Sequence, residues 1–230
     1  MCSRASCLCD AAGLELDHAF IGCAQGAPEA AALLRLGLVE GPGNTHPGQG
    51  TANRRFFFEN FMLELLWVSD PAEAQNDRTR RTRLFDRCGR GDGAVSPFGI
   101  IFRPAGGQPS PAPFPTWDYA PLYLPPGLSM HVAEGTTLEE PELFYLPFLK
   151  RGERGSDVLH AAPIRRISAL SVGVRGRDAL SATSRGAERQ GLVSYFESPQ
   201  PLLVIQFAGP AGLTFDLRPE LPLIFRSAPG

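Results

Sequence analysis

The sequence has no apolar run near the roughly 18 residues that would suggest a membrane span, and no excess of charge of either sign. Its 22 Lys and Arg stand against 24 Asp and Glu, a formal net charge of −2, with a pI near 6.1. That balance gives no electrostatic case for nucleic acid or an anionic membrane surface. A phosphate-cradling Gly loop, a nucleophile elbow and a Cys-x-x-Cys pair are also missing, so covalent Ser or Cys catalysis has no support. Cysteine is scarce and odd in number: Cys2, Cys7, Cys9, Cys23 and Cys88. Three of these crowd ahead of the first periodic segment, without a partner pair at zinc-like spacing and without the apolar stretch of a secretory signal. Residues 1–13 read as a disordered leader, whose Met1 need not be the true start, on a soluble cytoplasmic protein with reduced thiols.

What is present is a series of short elements. Leu14 to Cys23 reads as a strand, and Ala27-Pro28-Glu29 starts a helix whose body is Ala30 to Leu36. Gly41 to Gly50, rich in Gly, Pro and Asn, reads as a loop. Two strands follow, Asn53 to Glu59 and Phe61 to Ser69, with so little between them that Glu59-Asn60 must turn a tight hairpin. In that register Phe57 faces Met62 and Arg55 faces Glu64, and Asn53, Arg55, Phe57, Met62, Glu64 and Leu66 share one surface. Ser69-Asp70-Pro71-Ala72-Glu73 is a capped helix start. The Arg-rich stretch from Arg78 to Arg90 reads as a solvated connector, with phosphate binding as the sharper alternative.

Ser96 to Pro104 predicts a strand, and residues 105–127 an extended stiff loop whose prolines forbid regular ladders. Trp117, Tyr119 and Tyr123 in that loop would roof an apolar pocket or cover a sheet edge. Strands resume at 127–134 and 142–149. Further on, Ile167 to Val174 is a degenerate echo of Leu16 to Cys23 with Ala169 at the His18 position. Asp178 then caps a helix through about Gln190. A hairpin joins Leu202–Phe207 to Leu213–Asp216 and sets Asp216 near the position of Glu64.

The chemistry concentrates in two places. His18 and Glu64 are each a metal-competent side chain inside an apolar strand, where a charge is expensive unless paired or metal-bound. Either they bind a divalent ion together, or His18 bonds Glu64 or a carbonyl while Arg55 balances the acid. The second place is His46-Pro47-Gly48-Gln49-Gly50-Thr51-Ala52-Asn53. Its glycines allow close backbone approach, and His46, Gln49, Thr51 and Asn53 bring donors and acceptors to one rim. Further ligands are hard to find: Gly99 offers no donor, and His131 is the best remaining candidate, ahead of Asp216 and His160.

The Leu16-Asp17-His18 opening, the His46 to Asn53 segment and Leu63-Glu64-Leu65 together resemble the glyoxalase-like proteins of the vicinal oxygen chelate superfamily. The resemblance implies an α+β fold, in which βαβββ modules form curved mixed sheets around a cup with helices outside. The expected organisation is one glyoxalase-like domain over 14–230, with a first module at 14–70, central strands and the Pro-rich loop at 96–150, and a degenerate C-terminal module at 164–226. It further implies a divalent metal ion on His18 and Glu64, to which His131 is the best remaining donor, with His46 assisting proton transfer. Substrate contacts would come from His46, Gln49, Thr51, Asn53, Arg55 and Trp117. The expected function is then a metal-dependent lyase, isomerase or dioxygenase acting on a small oxygen-rich molecule. A metal-free protein sequestering a small molecule in the same cup is the alternative, and a cup plugged by its own side chains a third. The partner is a small molecule, with no nucleic acid or membrane, on a monomer or homodimer.

Overall fold

The computed structural model describes residues 13–88, 93–105, 110–150 and 159–228. The leader with Cys2, Cys7 and Cys9 lies outside the described residues, as does Arg90. Among the described residues, thirteen strands, β1 to β13, form two sheets. The larger has eight strands in the order β2-β3-β4-β1-β5-β8-β7-β6, and the smaller has five in the order β10-β9-β11-β13-β12. With short helices beside two mixed sheets, the fold is α+β.

The first half of the large sheet is β1 (Leu14–Gly22), helix α1 (Ala30–Arg35), β2 (Glu40–His46), β3 (Thr51–Phe57) and β4 (Met62–Val68). The crossover through α1 makes β1 and β4 parallel, while β2, β3 and β4 run antiparallel. The β3–β4 register is the one the spacing predicts, with Arg55 opposite Glu64 and Phe57 opposite Met62. At the turn, the Asn60 side chain donates to Ile167 O at 2.8 Å and accepts from Ile167 N at 2.9 Å, tying the hairpin to the small sheet.

The second half is β5 (Phe98–Pro104), β6 (Thr116–Tyr119), β7 (Met130–Ala133) and β8 (Glu142–Tyr145). It repeats the pairing pattern: β5 and β8 are parallel, and β6, β7 and β8 antiparallel. The halves meet where β1 and β5 run antiparallel. Between them lie α2 (Pro71–Ala74), capped by Asp70 as expected, and α3 (Leu84–Arg87). The small sheet holds β9 (Ile167–Val174), β10 (Ser194–Glu197), β11 (Leu202–Phe207), β12 (Thr214–Asp216) and β13 (Leu223–Ser227), with α4 (Ala182–Arg189) between β9 and β10 in the chain.

Several elements differ from expectation, each for a physical reason. The Gly- and Pro-rich stretch before His46 is a strand, β2. It sits at a sheet edge, needs one ladder only, and absorbs Pro42 in an irregularity between Gly41 and Asn44. The proline-dense segment likewise hides edge strand β6, paired to β7 alone. The helix expected from Asp178 starts only at Ala182, because Ser181 caps it by accepting from Ser184 N; residues 177–179 form a separate single turn. Finally, β12 pairs with β13 and not with β11. Buried Leu223, Ile224 and Phe225 take the inner place and leave Thr214 and Asp216 at the exposed edge.

The main core lies between the sheets. Ala19, Ile21, Phe56, Leu63, Ile100 and Phe102 of the large sheet pack with Leu170, Val172, Leu203, Ile205 and Phe225 of the small one. The opposite face of the large sheet carries Phe20, Leu66, Ile101, Phe144 and Leu146. Alternation along each strand sends one set to the core and the other set to this second face.

Candidate functional site

The second face encloses a cavity of about 310 Å³, at the small end of the range for ligand pockets of roughly 300–1,000 Å³. All six residues predicted to share a surface, Asn53, Arg55, Phe57, Met62, Glu64 and Leu66, line it. So do His18, His46 and Gln49. Thr51 lies behind the wall and bonds to His46 Nδ1 and to Gln49 Nε2, both at 2.8 Å.

His18 reaches the cup because β1 is irregular. Leu16 opposes Phe102 and His18 opposes Ile101, so Asp17 is an extra residue in the ladder. This bulge lets Leu16 join the core and His18, two positions on, turn to the cup. Asp17 is 2% exposed. Its carboxylate accepts from Arg103 Nη1 at 2.9 Å and holds His18 Nδ1 at 2.6 Å. Arg103 also bonds Glu15 at 2.9 Å, so the buried charges neutralise one another across the β1–β5 seam.

Glu64 is 6% exposed. Asn53 Nδ2 donates to its Oε1 at 2.5 Å, and its Oε2 lies 3.8 Å from His18 Nε2. The separation is too long for a hydrogen bond. Arg55 does not pair with it: the guanidinium turns outward, donating to Pro42 O at 2.7 Å and lying 5.3 Å over the Phe57 ring. The salt bridge that could have plugged the cup floor is not formed.

His46 stands at the rim with its ring 4.9 Å from that of Tyr123. Burial holds its imidazole below the ordinary histidine value, opposed by Glu64 and reinforced by Arg55 and His18. The Tyr123 hydroxyl donates to Gln49 Oε1 at 3.3 Å, and burial pushes its pKa up. Gly50, at φ +70, is required here, since a Cβ would stand 2.3 Å from Asp70 O. Glu73 Oε2 accepts from Gly48 N at 2.8 Å and Gly50 N at 3.1 Å, fixing the turn.

The facing half contributes apolar wall: Ile101, Tyr119, Phe144, Leu146, Phe148 and Leu149. The Tyr119 hydroxyl lies buried in it without a hydrogen-bond partner among the described residues. Trp117, expected to touch substrate, is not part of the lining. It stacks under Arg81 at 4.3 Å, and Tyr119 and Tyr123 line the cup instead. His131, expected as a metal ligand, is also elsewhere. Alternation on β7 points Met130 into the cup and His131 away, where its Nδ1 lies 2.6 Å from Asp118. Asp216 pairs with Arg218, and His160 joins Val39 N to Phe57 O.

The donor set does not fit the resident divalent ion implied by the resemblance. Among the described residues, no three His, Cys, Asp or Glu side chains gather where they could hold a metal. His18 and Glu64 supply two donors, while β5 and β8 present Ile101 and Phe144 where a third would be needed. The residues that sequence reasoning missed are Asp17 and Arg103. Their signal was two opposite charges in strand interiors, one of them next to His18.

Residues 16–116 match the glyoxalase-like domain family. No curated protein matches the chain. Among solved structures, a hypothetical protein from Staphylococcus aureus aligns with a TM-score of 0.54 at 11% identity, over 94% of this chain and 100% of that one; this shows the fold alone. A triple mutant of 4-hydroxymandelate synthase from Streptomyces coelicolor aligns with a TM-score of 0.39 at 15% identity, over 92% of this chain and 61% of that one. No helix among the described residues is long and apolar enough to cross a membrane. The family match lies in the segment that carries β1 to the start of β6.

Proposed function

We propose that the cup binds one small organic molecule without a resident metal, holding a polar head against the first half and an apolar body against the second. The observation that carries this reading is the one-sided lining. His18, His46, Asn53 and Glu64 stand on β1 to β4, Ile101 and Phe144 on β5 and β8, and Leu146 just past β8. A ligand that is polar at one end only satisfies both walls, because an unpartnered buried polar group costs about 1–3 kcal/mol. The molecule is an oxygen- or nitrogen-bearing aryl or alkyl compound of modest size. The protein works in the cytoplasm with Cys23 and Cys88 reduced; both are free and buried, and burial pushes the Cys88 thiol up to about 12.

The test is ligand-observed NMR of the full chain against small aromatic and aliphatic alcohols, ketones and amides. Saturation transfer to several members, abolished when Phe144→Asp charges the apolar wall and weakened by Asn53→Leu, supports the reading. Folding of both variants is checked by circular dichroism. Transfer to no member, or transfer unchanged in both folded variants, overturns it.

A further inference from the structure

We infer that the polar end of the cup takes a primary ammonium group, so that the ligand is a small arylalkyl- or alkylamine held as its cation. This rests on the small-molecule reading above and names the class of molecule.

The two groups at that end are both acceptors. Asp17, held by Arg103 Nη1 at 2.9 Å, is a carboxylate with only lone pairs to offer. The 2.6 Å contact to His18 Nδ1 therefore needs the proton on Nδ1, and Nε2 of the neutral ring is a bare acceptor. Glu64 Oε2 lies 3.8 Å from it. The other Glu64 oxygen is taken by Asn53 Nδ2, and the Asn53 amide is oriented by Asn44 N, which donates to its Oδ1 at 2.7 Å. Two lone-pair sites thus stand side by side.

Gln49, Tyr123 and Arg55, donors of the same lining, turn to the protein. Gln49 Nε2 donates to Thr51 Oγ1 at 2.8 Å, the Tyr123 hydroxyl to Gln49 Oε1 at 3.3 Å, and Arg55 Nε to Pro42 O at 2.7 Å. Among the described residues, the one ion-pair contact of Glu64 is to the His18 ring. A carboxylate that is 6% exposed and has no Lys or Arg beside it is costly. The site wants a positive charge and two protons.

A primary ammonium brings both. At hydrogen-bond lengths of about 2.7–3.2 Å, one nitrogen reaches two acceptors 3.8 Å apart, giving one N–H to Glu64 Oε2 and one to His18 Nε2. Phe20, Phe57, Tyr119, Tyr123, Phe144 and Phe148 line the same cavity, and aromatic faces attract a cation that has left water. An alcohol has one proton for two acceptors, a carbonyl has none, and a carboxylate is repelled by Glu64. The pair that cannot complete a metal shell suits N–H donors.

The experiment uses the full chain and four compounds that share a phenyl ring on a two-carbon arm. They are 2-phenylethylamine, 2-phenylethanol, 3-phenylpropionate and trimethyl(2-phenylethyl)ammonium, the last keeping the charge without an N–H. Dissociation constants are read by isothermal titration calorimetry near neutral pH. The amine should bind about 10-fold or more tighter than each of the other three. In Glu64→Gln, shown to be folded by circular dichroism, amine and alcohol should come within about 3-fold of each other. The alcohol or the trimethylammonium compound binding wild type as tightly as the amine overturns the inference, whether or not the variant folds. A preference for the amine that survives in folded Glu64→Gln overturns it too. Binding of alcohols, ketones or amides without the amine removes the ammonium and leaves the small-molecule site standing. If neither the amine nor any member of the ligand panel binds, both fall.

Discussion

The two halves of the cup share one scaffold and differ in chemistry. β1 to β4 and β5 to β8 have the same relative strand order, and each joins a parallel inner pair to an antiparallel outer pair. Yet the first half points His18 and Glu64 into the cavity from its inner strands, and the second points Ile101 and Phe144. The small sheet extends the comparison. It keeps the inner relations, with β9 parallel to β10, antiparallel to β11, and β11 parallel to β13. It places Ala169 where β1 has His18, and Ser171 and Ser194 bond each other at 2.6 Å where Phe20 opposes Glu64. Strand pairing fixes where side chains point, and the side chains alone decide whether a cup is a polar site, an apolar wall or a plain surface.

The largest expected effect comes from cutting the link between the halves. Arg103, on the apolar half, neutralises Asp17 and Glu15 of the polar half. Arg103→Met leaves those carboxylates buried without their cation and should cost about 3–5 kcal/mol in urea denaturation. A loss below about 1 kcal/mol would show that the polar half stands independently.

A smaller effect tests the seam. A Cβ at Gly99 would lie 2.0 Å from the Phe20 ring, so Gly99→Ala must displace that ring and should cost about 1–3 kcal/mol. Thermal unfolding within a degree of wild type would contradict the tight β1–β5 contact. Smaller still, Asn53→Leu removes the donor to Glu64 Oε1 and should weaken ligand binding about tenfold, or about 1.4 kcal/mol, in the saturation-transfer titration. Equal affinity would mean that Glu64 needs no support.

The least effect is one of pH. Burial lowers the pKa of His46 and His160 from the ordinary 6.5. In the window between those lowered values and 6.5 the unfolded chain binds more protons than the folded one, so stability falls as pH falls through it and is full above it. The melting temperature should drop on acidification below 6.5, and His46→Asn should flatten part of that slope. A slope identical in the variant would remove His46 from the account.

Much of this was legible in the sequence where local rules act alone. The β3–β4 hairpin register followed from the two residues available for its turn, and with it the row from Asn53 to Leu66 that lines the cup. Helix α1 and the Asp70 cap followed from Ala27-Pro28-Glu29 and Asp70-Pro71. What was hidden depends on neighbours distant in the chain. β2 exists because a sheet edge tolerates Pro42, which strand propensity alone would reject, and β6 fits into the short proline-free run after Pro115. The turn of His18 into the cup depends on one extra residue, Asp17, measured against β5. His131 points away from the cup by a single step of alternation on β7, a register set by its pairing with β6 and β8.

The most direct test of a cup that is polar on one side and needs no resident ion is metal analysis of the purified full chain. It should be made after equilibration with zinc, manganese, nickel and ferrous iron, beside folded His18→Ala and Glu64→Ala variants. The account predicts bound metal well below one equivalent in wild type and no difference among the three proteins. One equivalent in wild type, lost in both variants, would contradict it and make His18 and Glu64 ligands.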